Sequence, residues 1–151
     1  MPVTIGVLKE TVPGENRVAV VPEVATRLAA LGARLLIERG AGQAARFPDA
    51  FYKDAGFADT ADAVIAASDL LLSVQPPDPA IAGRLKPGSV LIGFLAPHAQ
   101  PALVRALKAG RITSFAMELV PRISRAQSMD ALSSQAAVSG YKAVLLAAVE
   151  L

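Results

Sequence analysis

The sequence contains no cysteine and no tryptophan, and it has a single histidine, His98, in 151 residues. The lack of cysteine excludes disulfides, thiol nucleophiles and cysteine-ligated metals, and it is compatible with a reducing compartment. Because His98 has no second ligand at a useful spacing, no metal site is predicted. No Gly-x-Ser-x-Gly elbow and no Ser/His/Asp set is present, which disfavours a serine hydrolase.

Basic runs and long apolar runs are also missing. The 15 Lys and Arg residues are scattered singly and the net charge is only +2, so nucleic acid is not predicted as a partner. The first residues lack the basic region and apolar stretch of a signal peptide. The most apolar windows are broken by Pro, Gly, His or Lys. We therefore expect no membrane span and a chain that is soluble by itself.

The hydrophobic content of 53% is high enough for one well-packed α/β domain, and the length is short for two. Runs of β-forming and apolar residues predict five strands, at residues 3–8, 34–38, 69–74, 89–95 and 111–117. Helical patterns lie between them, at residues 22–31, 48–55, 61–67 with Thr60 as N-cap, 81–85, 101–109 and 136–151. This alternation predicts a single α/β domain with a parallel, Rossmann-like or flavodoxin-like sheet flanked by helices.

The predicted last helix, residues 136–151, is apolar on most of its faces. A helix of this kind is normally buried between other elements. We therefore expect the chain to be one part of a larger polypeptide or complex.

Chemically capable side chains crowd into residues 120–135, between the predicted fifth strand and the last helix. Open α/β folds bind ligands outside the carboxyl ends of their strands, which makes Arg122, Gln127, Asp130 and Ser133 the first functional candidates. Helix capping is an equally good explanation on spacing alone. Ser124 with Gln127 fits a capping box, and Ser128 with Asp130 fits an N-cap followed by an acid.

Residues 40–45 (Gly-Ala-Gly-Gln-Ala-Ala) match the G-x-G-x-x-A dinucleotide fingerprint formally. The fingerprint requires a helix that starts in the loop and an acid at the end of the next strand. Phe47-Pro48 interrupts any such helix, and Asp59 and Asp62 fall in a predicted turn and helix. A structural turn is therefore expected, and the chain lacks a phosphate cradle of its own.

Lys9, Glu10 and Arg17 flank the loop after the first predicted strand, at a plausible ligand-facing end. Arg17 could clamp a carboxylate or a phosphate with two hydrogen bonds. A solvated loop arginine is the commoner case.

Residues 117–135 read Met-Glu-Leu-Val-Pro-Arg-Ile-Ser-Arg-Ala-Gln-Ser-Met-Asp-Ala-Leu-Ser-Ser-Gln, and Gly-Tyr-Lys-Ala follows from Gly140. This segment closely resembles the alpha subunit of proton-translocating NAD(P) transhydrogenases. Residues 17–22 (Arg-Val-Ala-Val-Val-Pro) and 38–42 (Glu-Arg-Gly-Ala-Gly) resemble the wider alanine dehydrogenase/transhydrogenase family. The likeness covers essentially the whole chain.

The resemblance implies that residues 1–135 are the N-terminal domain of an NAD(H)-binding component, and that residues 136–151 lead into an NAD-binding Rossmann domain. It implies a Re/Si-specific enzyme that transfers hydride from NADH to NADP⁺ on a beta subunit, coupled to proton translocation. The cofactor would be NAD. The component would be a homodimer, cytoplasmic and held at the inner membrane by partner subunits.

The same resemblance assigns Arg122, Gln127, Asp130 and Ser133 to the nicotinamide end of NAD(H), with Gln127 and Asp130 as the catalytic pair. Hydride transfer between two nicotinamides releases no substrate proton, so it needs positioning groups rather than a general acid or base. The chain alone is expected neither to bind NAD tightly nor to turn over.

Two alternatives stay open beside the transhydrogenase interpretation. Alanine dehydrogenases need a lysine after the apolar strand, where this chain has Gln75, and a histidine after a Phe-Leu pair, where it has Ala96. His98 lies two positions later, so a shifted alignment would restore part of that activity. A non-catalytic binding module that kept the fold is the other alternative.

Overall fold

Six strands form one parallel sheet in the order β3-β2-β1-β4-β5-β6, as seen in a computed structural model that describes residues 2–150. All five strand pairs are parallel. The strands are β1 Thr4–Val7, β2 Arg34–Glu38, β3 Ala55–Ala58, β4 Leu70–Leu72, β5 Val90–Gly93 and β6 Thr113–Ala116. The predicted parallel α/β fold is confirmed.

Helices connect the strands and cover both faces of the sheet. They are α1 Pro22–Ala30, α2 Ala61–Ala67, α3 Pro79–Ala82, α4 Pro101–Ala109 and α5 Ala131–Glu150, with 3₁₀ turns at Asp49–Phe51, Met117–Leu119 and Ser124–Met129. Proline stands at the first position of α1, α3 and α4, where its missing N–H costs nothing. Thr60 caps α2 as predicted, since its side chain accepts from the N–H of Ala63 at 3.3 Å.

The strand side chains divide into two buried clusters because successive residues point to opposite faces. Ile5, Val7, Leu35 and Ile37 belong to the cluster on which α1 packs. The opposite cluster combines strand residues with α2, α3 and α4, through Leu36, Leu71, Leu91, Val64, Ile65, Ala82, Leu103 and Leu107. Because β1, β2 and β4 are covered on both faces, they read as nearly continuous apolar runs.

The helix predicted at residues 48–55 is wrong. Only Asp49–Phe51 form a 3₁₀ turn, and residues Ala55–Ala58 form β3, a sixth strand that the sequence did not reveal. Gly56, the residue that directly follows the predicted helix, lies inside this strand. Ala-Gly-Phe-Ala has a weak strand pattern, and its place is decided by backbone pairing with the edge of β2.

The last helix begins at Ala131, five residues earlier than predicted, and α3 begins at Pro79 rather than at residue 81. No residue of α5 is buried. Among residues 2–150, no helix is both long enough and apolar enough to cross a bilayer. Met1 and Leu151, the outer ends of the predicted ranges 1–135 and 136–151, lie outside the described residues.

The strand order reverses direction between β1 and β4. The connections after these two strands leave in opposite directions, which opens a crevice beyond their carboxyl ends. Ligands of open α/β sheets bind at such a switch point. The fold therefore directs attention to the residues that follow β1 and β4.

Candidate functional site

Carboxylates tie neighbouring strand ends together at this edge of the sheet. Glu38, the last residue of β2, accepts a hydrogen bond from the backbone N–H of Lys9 at 2.9 Å. Glu10 accepts from the backbone N–H groups of Val74 at 2.6 Å and Gln75 at 3.2 Å, which follow β4. These bonds link β2 to β1 and β1 to β4. They fix the loops around the switch point relative to the sheet.

A similar carboxylate holds the residues that follow β5. Glu118 accepts from the N–H of Leu95 at 3.3 Å and from the N–H of Ala96. Ala96 has a φ of 44°, in the left-handed region that side chains disfavour, so this carboxylate supports a strained turn. The Glu10 carboxyl is perturbed in another way. Burial raises its pKa, and the two backbone bonds that it accepts offset only part of that effect.

A second network, here called the Arg17 cluster, consists of Glu15, Arg17, Gln75 and Gln135. Arg17 donates to Glu15 through Nε at 2.8 Å and Nη2 at 2.6 Å, and through Nη1 to Oε1 of Gln135 at 3.1 Å. Gln75 Nε2 donates to Glu15 Oε2 at 2.6 Å. The cluster thus joins the loop after β1, the end of β4 and the start of α5.

The electrostatics of the cluster favour an ionised Glu15. The Arg17 guanidinium beside it lowers the pKa of the Glu15 carboxyl to about 2, and the Gln75 amide contributes in the same direction. The Glu15 side chain is only 6% exposed, whereas that of Arg17 is 43% exposed. Because Glu15 occupies the Nε and Nη2 edge, the bidentate fork of Arg17 is used within the protein. The fork is therefore not free to clamp an external carboxylate or phosphate, which was the less common of the two interpretations that the sequence allowed.

A cavity of about 500 Å³ lies beside the cluster, at the carboxyl ends of β4 and β5. Arg17 and Gln135 are its polar wall, Leu72, Ile92 and Met117 are among its apolar residues, and Ala131 lies on the α5 side. A larger cavity of about 580 Å³ lies against α4 and β6, away from the switch point, with Lys108 and Ser114 among its mainly apolar lining residues. We favour the cavity beside the cluster because it combines the switch point with convergent polar groups.

The predicted loop residues fall into two groups. The side chains of Arg122 and Gln127 are exposed, and within residues 2–150 they make no hydrogen bond. Asp130 and Ser133 are bonded to each other: the Ser133 N–H donates to Asp130 Oδ1 at 2.9 Å and its hydroxyl to Oδ2 at 2.6 Å. These two bonds, with a smaller contribution from the charge of Arg122, lower the pKa of the Asp130 carboxyl.

Capping explains part of this loop. Asp130 precedes the first residue of α5 and bonds the third N–H of that helix, which is the geometry of an N-cap. The capping box suggested for Ser124 and Gln127 does not form, because the 3₁₀ turn at Ser124–Met129 follows Ile123 without any side-chain cap. Ser128 is not the cap either. A capping role therefore accounts for Asp130 and Ser133 but not for Arg122 or Gln127.

The other predicted motifs are structural. Gly40 has a φ of 77°, and a Cβ at Gly42 would lie 2.4 Å from the carbonyl oxygen of Phe47. Both glycines therefore serve a tight turn, and no α-helix starts in residues 40–46. His98 lies exposed in the turn between β5 and α4. No group of three or more acidic or histidine residues suited to a metal occurs within residues 2–150.

The sequence did not reveal the two glutamines that complete the hydrogen-bond network around Arg17. Gln135 lies 118 positions away from Arg17, and no local sequence pattern links Arg17 to Gln135 or to Gln75. The available signal was the acid-rich loop after β1, in which Glu10 and Glu15 surround Pro13-Gly14. Glutamates that become buried are costly unless they are hydrogen-bonded, so two of them beside a buried strand were the signal that a polar network could form there.

The loop is chemically suited to a nicotinamide carboxamide. Such a group needs one hydrogen-bond donor and one acceptor, and the unengaged Gln127 amide offers both. Arg122 supplies a cation that can bind a nucleotide oxygen. Asp130, held by Ser133, keeps acceptor capacity in a fixed orientation. These residues are compatible with binding and orienting the ring, and none of them forms a phosphate cradle.

Comparisons with known proteins agree with this architecture. An NAD(P) transhydrogenase alpha subunit of Rhodospirillum rubrum is 43% identical over 153 residues, covering 97% of this chain and 40% of that relative. Alanine dehydrogenase of Mycobacterium tuberculosis is 41% identical over 118 residues, covering 77% of this chain and 32% of that relative. The crystal structure of transhydrogenase from Sinorhizobium meliloti gives a TM-score of 0.91 at 38% identity, covering 97% of this chain and 44% of that chain.

The chain thus spans less than half the length of each of these relatives. The family described as alanine dehydrogenase/PNT, N-terminal domain, matches residues 6–139. This match covers most of the sheet, the switch point and the polar loop. The chain therefore belongs to the alanine dehydrogenase/PNT N-terminal domain family.

Proposed function

We propose that this chain is the N-terminal part of the NAD(H)-binding component of a proton-translocating, Re/Si-specific NAD(P) transhydrogenase. Hydride passes from NADH to NADP⁺ on an NADP(H)-binding beta subunit. The observation that carries the proposal is the polar loop with unengaged Arg122 and Gln127, which leads into α5, the helix whose Ala131 and Gln135 line the switch-point cavity. The 43% identity to a transhydrogenase alpha subunit over nearly the whole chain supports it.

The proposal extends to the surroundings of the domain. Residues 1–135 act as the N-terminal domain, and residues 136–151 lead into an NAD-binding Rossmann domain of the same polypeptide. The apolar side chains that α5 exposes, among them Val138, Val144 and Leu146, support the packing of further protein on this helix. We further propose a cytoplasmic homodimer that partner subunits hold at the inner membrane.

The loop residues act by positioning. Bound NADH supplies the hydride, and no proton has to be removed from either nicotinamide. Gln127 binds the carboxamide and sets the orientation of the ring, while Arg122 holds a nucleotide oxygen. Asp130 serves as a fixed acceptor, because Ser133 bonds both of its oxygens on the helix side. Near-attack alignment of two bound rings accounts for much of the acceleration that such an enzyme needs.

The test uses the complete polypeptide that carries this domain, mixed with its NADP(H)-binding partner. Gln127→Asn shortens the amide by one methylene, and Asp130→Asn keeps a good N-cap while it removes the charge. We expect hydride transfer to fall roughly 10- to 100-fold in both variants while NADH affinity changes little. Gln100→Asn and Asp78→Asn are the matched controls, because Gln100 precedes α4 without a cap bond and Asp78 caps the remote α3.

Parental transfer rates in Gln127→Asn and Asp130→Asn would show that the loop is a helix cap and no more. The 151-residue chain itself is expected not to bind NADH tightly, because its glycine loop forms a closed turn rather than a phosphate cradle. Micromolar binding of NADH to this chain would contradict that expectation.

Alanine dehydrogenase is the alternative within the family. At the position after β4 where that enzyme would need a lysine, Gln75 donates its amide to Glu15 at 2.6 Å. An amide cannot carry the charge or the proton that a lysine carries, and His98 lies in an exposed turn. Pyruvate-dependent oxidation of NADH by the complete polypeptide would favour this alternative over the transhydrogenase.

A further inference from the structure

One hydrogen bond joins residues 120–150 to residues 2–116. It runs from Nη1 of Arg17 to Oε1 of Gln135, over 3.1 Å. Every other hydrogen bond that this segment makes within residues 2–150 is local, as between Asp130 and Ser133 or from Val120 to the carbonyl of residue 117. The segment is also held by the packing of the buried Ala126 and by contacts of α5 with residues 117–119. Arg17 therefore supplies the polar part of its attachment to the sheet.

The bond from Arg17 meets α5 near its N-terminus, close to the Asp130 cap and the polar loop. Gln135 follows the Asp130 cap by five residues, and it lies four residues after Ala131, so the side chains of Ala131 and Gln135 share one face of the first helical turns. Ala131 and Gln135 both line the switch-point cavity together with Arg17. A restraint on Gln135 is consequently a restraint on the cap and on the loop that precedes it.

Arg17 is itself held in a defined orientation. Its planar fork is fixed by two bonds to Glu15, and Glu15 is fixed in turn by the Gln75 amide. The backbone of Gln75 is bonded to Glu10 across the switch point. Through this chain of contacts, the ends of β1 and β4 set the position of the guanidinium, and the guanidinium sets the position of α5.

We infer that Arg17 is a positioning residue for hydride transfer, which orients the loop of Arg122, Gln127 and Asp130 through Gln135 rather than by binding the cofactor. This role rests on the proposed function for its catalytic consequence. The anchoring of α5 to the sheet does not depend on it, and the two parts are measured separately.

The anchor is measured by amide hydrogen exchange on the 151-residue chain. Gln135→Met removes the acceptor and leaves the buried Glu15 paired with Arg17, so it does not endanger folding as Arg17→Met could. We expect the amides of residues 133–135 to exchange about fivefold faster or more. Gln100→Met is the control, because Gln100 precedes α4 and its side chain makes no cap hydrogen bond. We expect this variant to leave the exchange rates of residues 133–135 unchanged. Unchanged exchange in Gln135→Met overturns the inference, whatever the activity.

The catalytic consequence is measured in the complete polypeptide with its NADP(H)-binding partner. Arg17→Met and Gln135→Met each lower the hydride-transfer rate about tenfold or more, with little change in NADH affinity. The double variant is no worse than the poorer single variant, because both act through one bond. Arg27→Met, which breaks an exposed Arg–Glu pair on α1, leaves the rate unchanged.

The possible failures are distinct. If the unmodified complete polypeptide shows no transhydrogenation, the proposed function is refuted. Hydrogen exchange then still tests whether the bond between Arg17 and Gln135 holds α5 against the sheet. The positioning role is overturned if Gln135→Met makes residues 133–135 exchange faster but transfers hydride at the rate of the unmodified enzyme. An additive loss in the double variant also overturns it, because Arg17 would then act independently of Gln135.

Discussion

Replacement of Glu15 by glutamine gives the sharpest test of the electrostatics at the switch point. The carboxyl has an ordinary pKa of 4.5, which Arg17 beside it lowers to about 2. That difference corresponds to roughly 3 kcal/mol of stability at neutral pH, as an upper bound. Since the Arg17 side chain is 43% exposed, solvent screening reduces the expected loss to about 2 kcal/mol. Glu15→Gln should therefore lower the free energy of unfolding by this amount.

The sign of the pH dependence follows from the lowered pKa. A carboxyl whose pKa is depressed in the folded state stabilises the fold above its ordinary value of 4.5, and the contribution is lost as the pH falls through about 2. Urea unfolding followed by circular dichroism, at several pH values between 7 and 2, should show parent and Glu15→Gln converging as the pH falls. A difference that stays constant between pH 4.5 and pH 2 would refute the reasoning.

Glu23→Gln is the matched control for this measurement. Glu23 also pairs with an arginine, at 2.5 Å from Arg27 Nη2, but both side chains are more than 70% exposed. An exposed pair of this kind contributes less than about 0.5 kcal/mol. The free energy of unfolding of Glu23→Gln should equal that of the parent at every pH. The comparison thus distinguishes the effect of a buried carboxylate in an ion pair from that of an exposed one.

Three further substitutions test the local structure. Gly42→Ala places a Cβ 2.4 Å from the Phe47 carbonyl oxygen, so urea unfolding should show a loss of about 2 kcal/mol. Gly140→Ala meets nothing within 4 Å inside α5, so the same assay on this chain should show a gain of about 0.5–1 kcal/mol. Asp130→Ala removes the cap of α5, and nuclear magnetic resonance should show faster exchange of the Ser133 amide, whereas unchanged exchange would contradict the capping role.

The fold was predictable where burial dictates the sequence pattern. The run Leu70–Leu72 lies between covered faces, and its apolar continuity marks a central strand. Ala55–Ala58 carries no comparable pattern, because an edge strand is placed by the backbone groups of its neighbour rather than by its own side chains. The helix predicted there failed for that reason.

The candidate site was predictable only in part. Arg122 and Gln127 stood out because polar side chains with no packing role are conspicuous, and the structure leaves them exposed. Their role at the nicotinamide remains a prediction. The bond between Arg17 and Gln135 could not be read from the sequence, because it crosses 118 positions and depends on the folded path of the chain. Contacts of this range follow from topology, which local patterns do not encode.

The position of the Arg17–Gln135 hydrogen bond along α5 determines how a movement of one end of the helix is transmitted to the other. The helix extends about 22 Å beyond Gln135 to Glu150, whereas Asp130 lies only about 7 Å before Gln135, at 1.5 Å per residue. A rigid helix held at Gln135 would turn about that residue with arms in a ratio of roughly three to one. A sideways shift of about 3 Å at its far end would then move Asp130 by about 1 Å. A displacement of several ångströms at the far end of α5 would thus become a displacement near Asp130 of the size that makes or breaks a hydrogen bond.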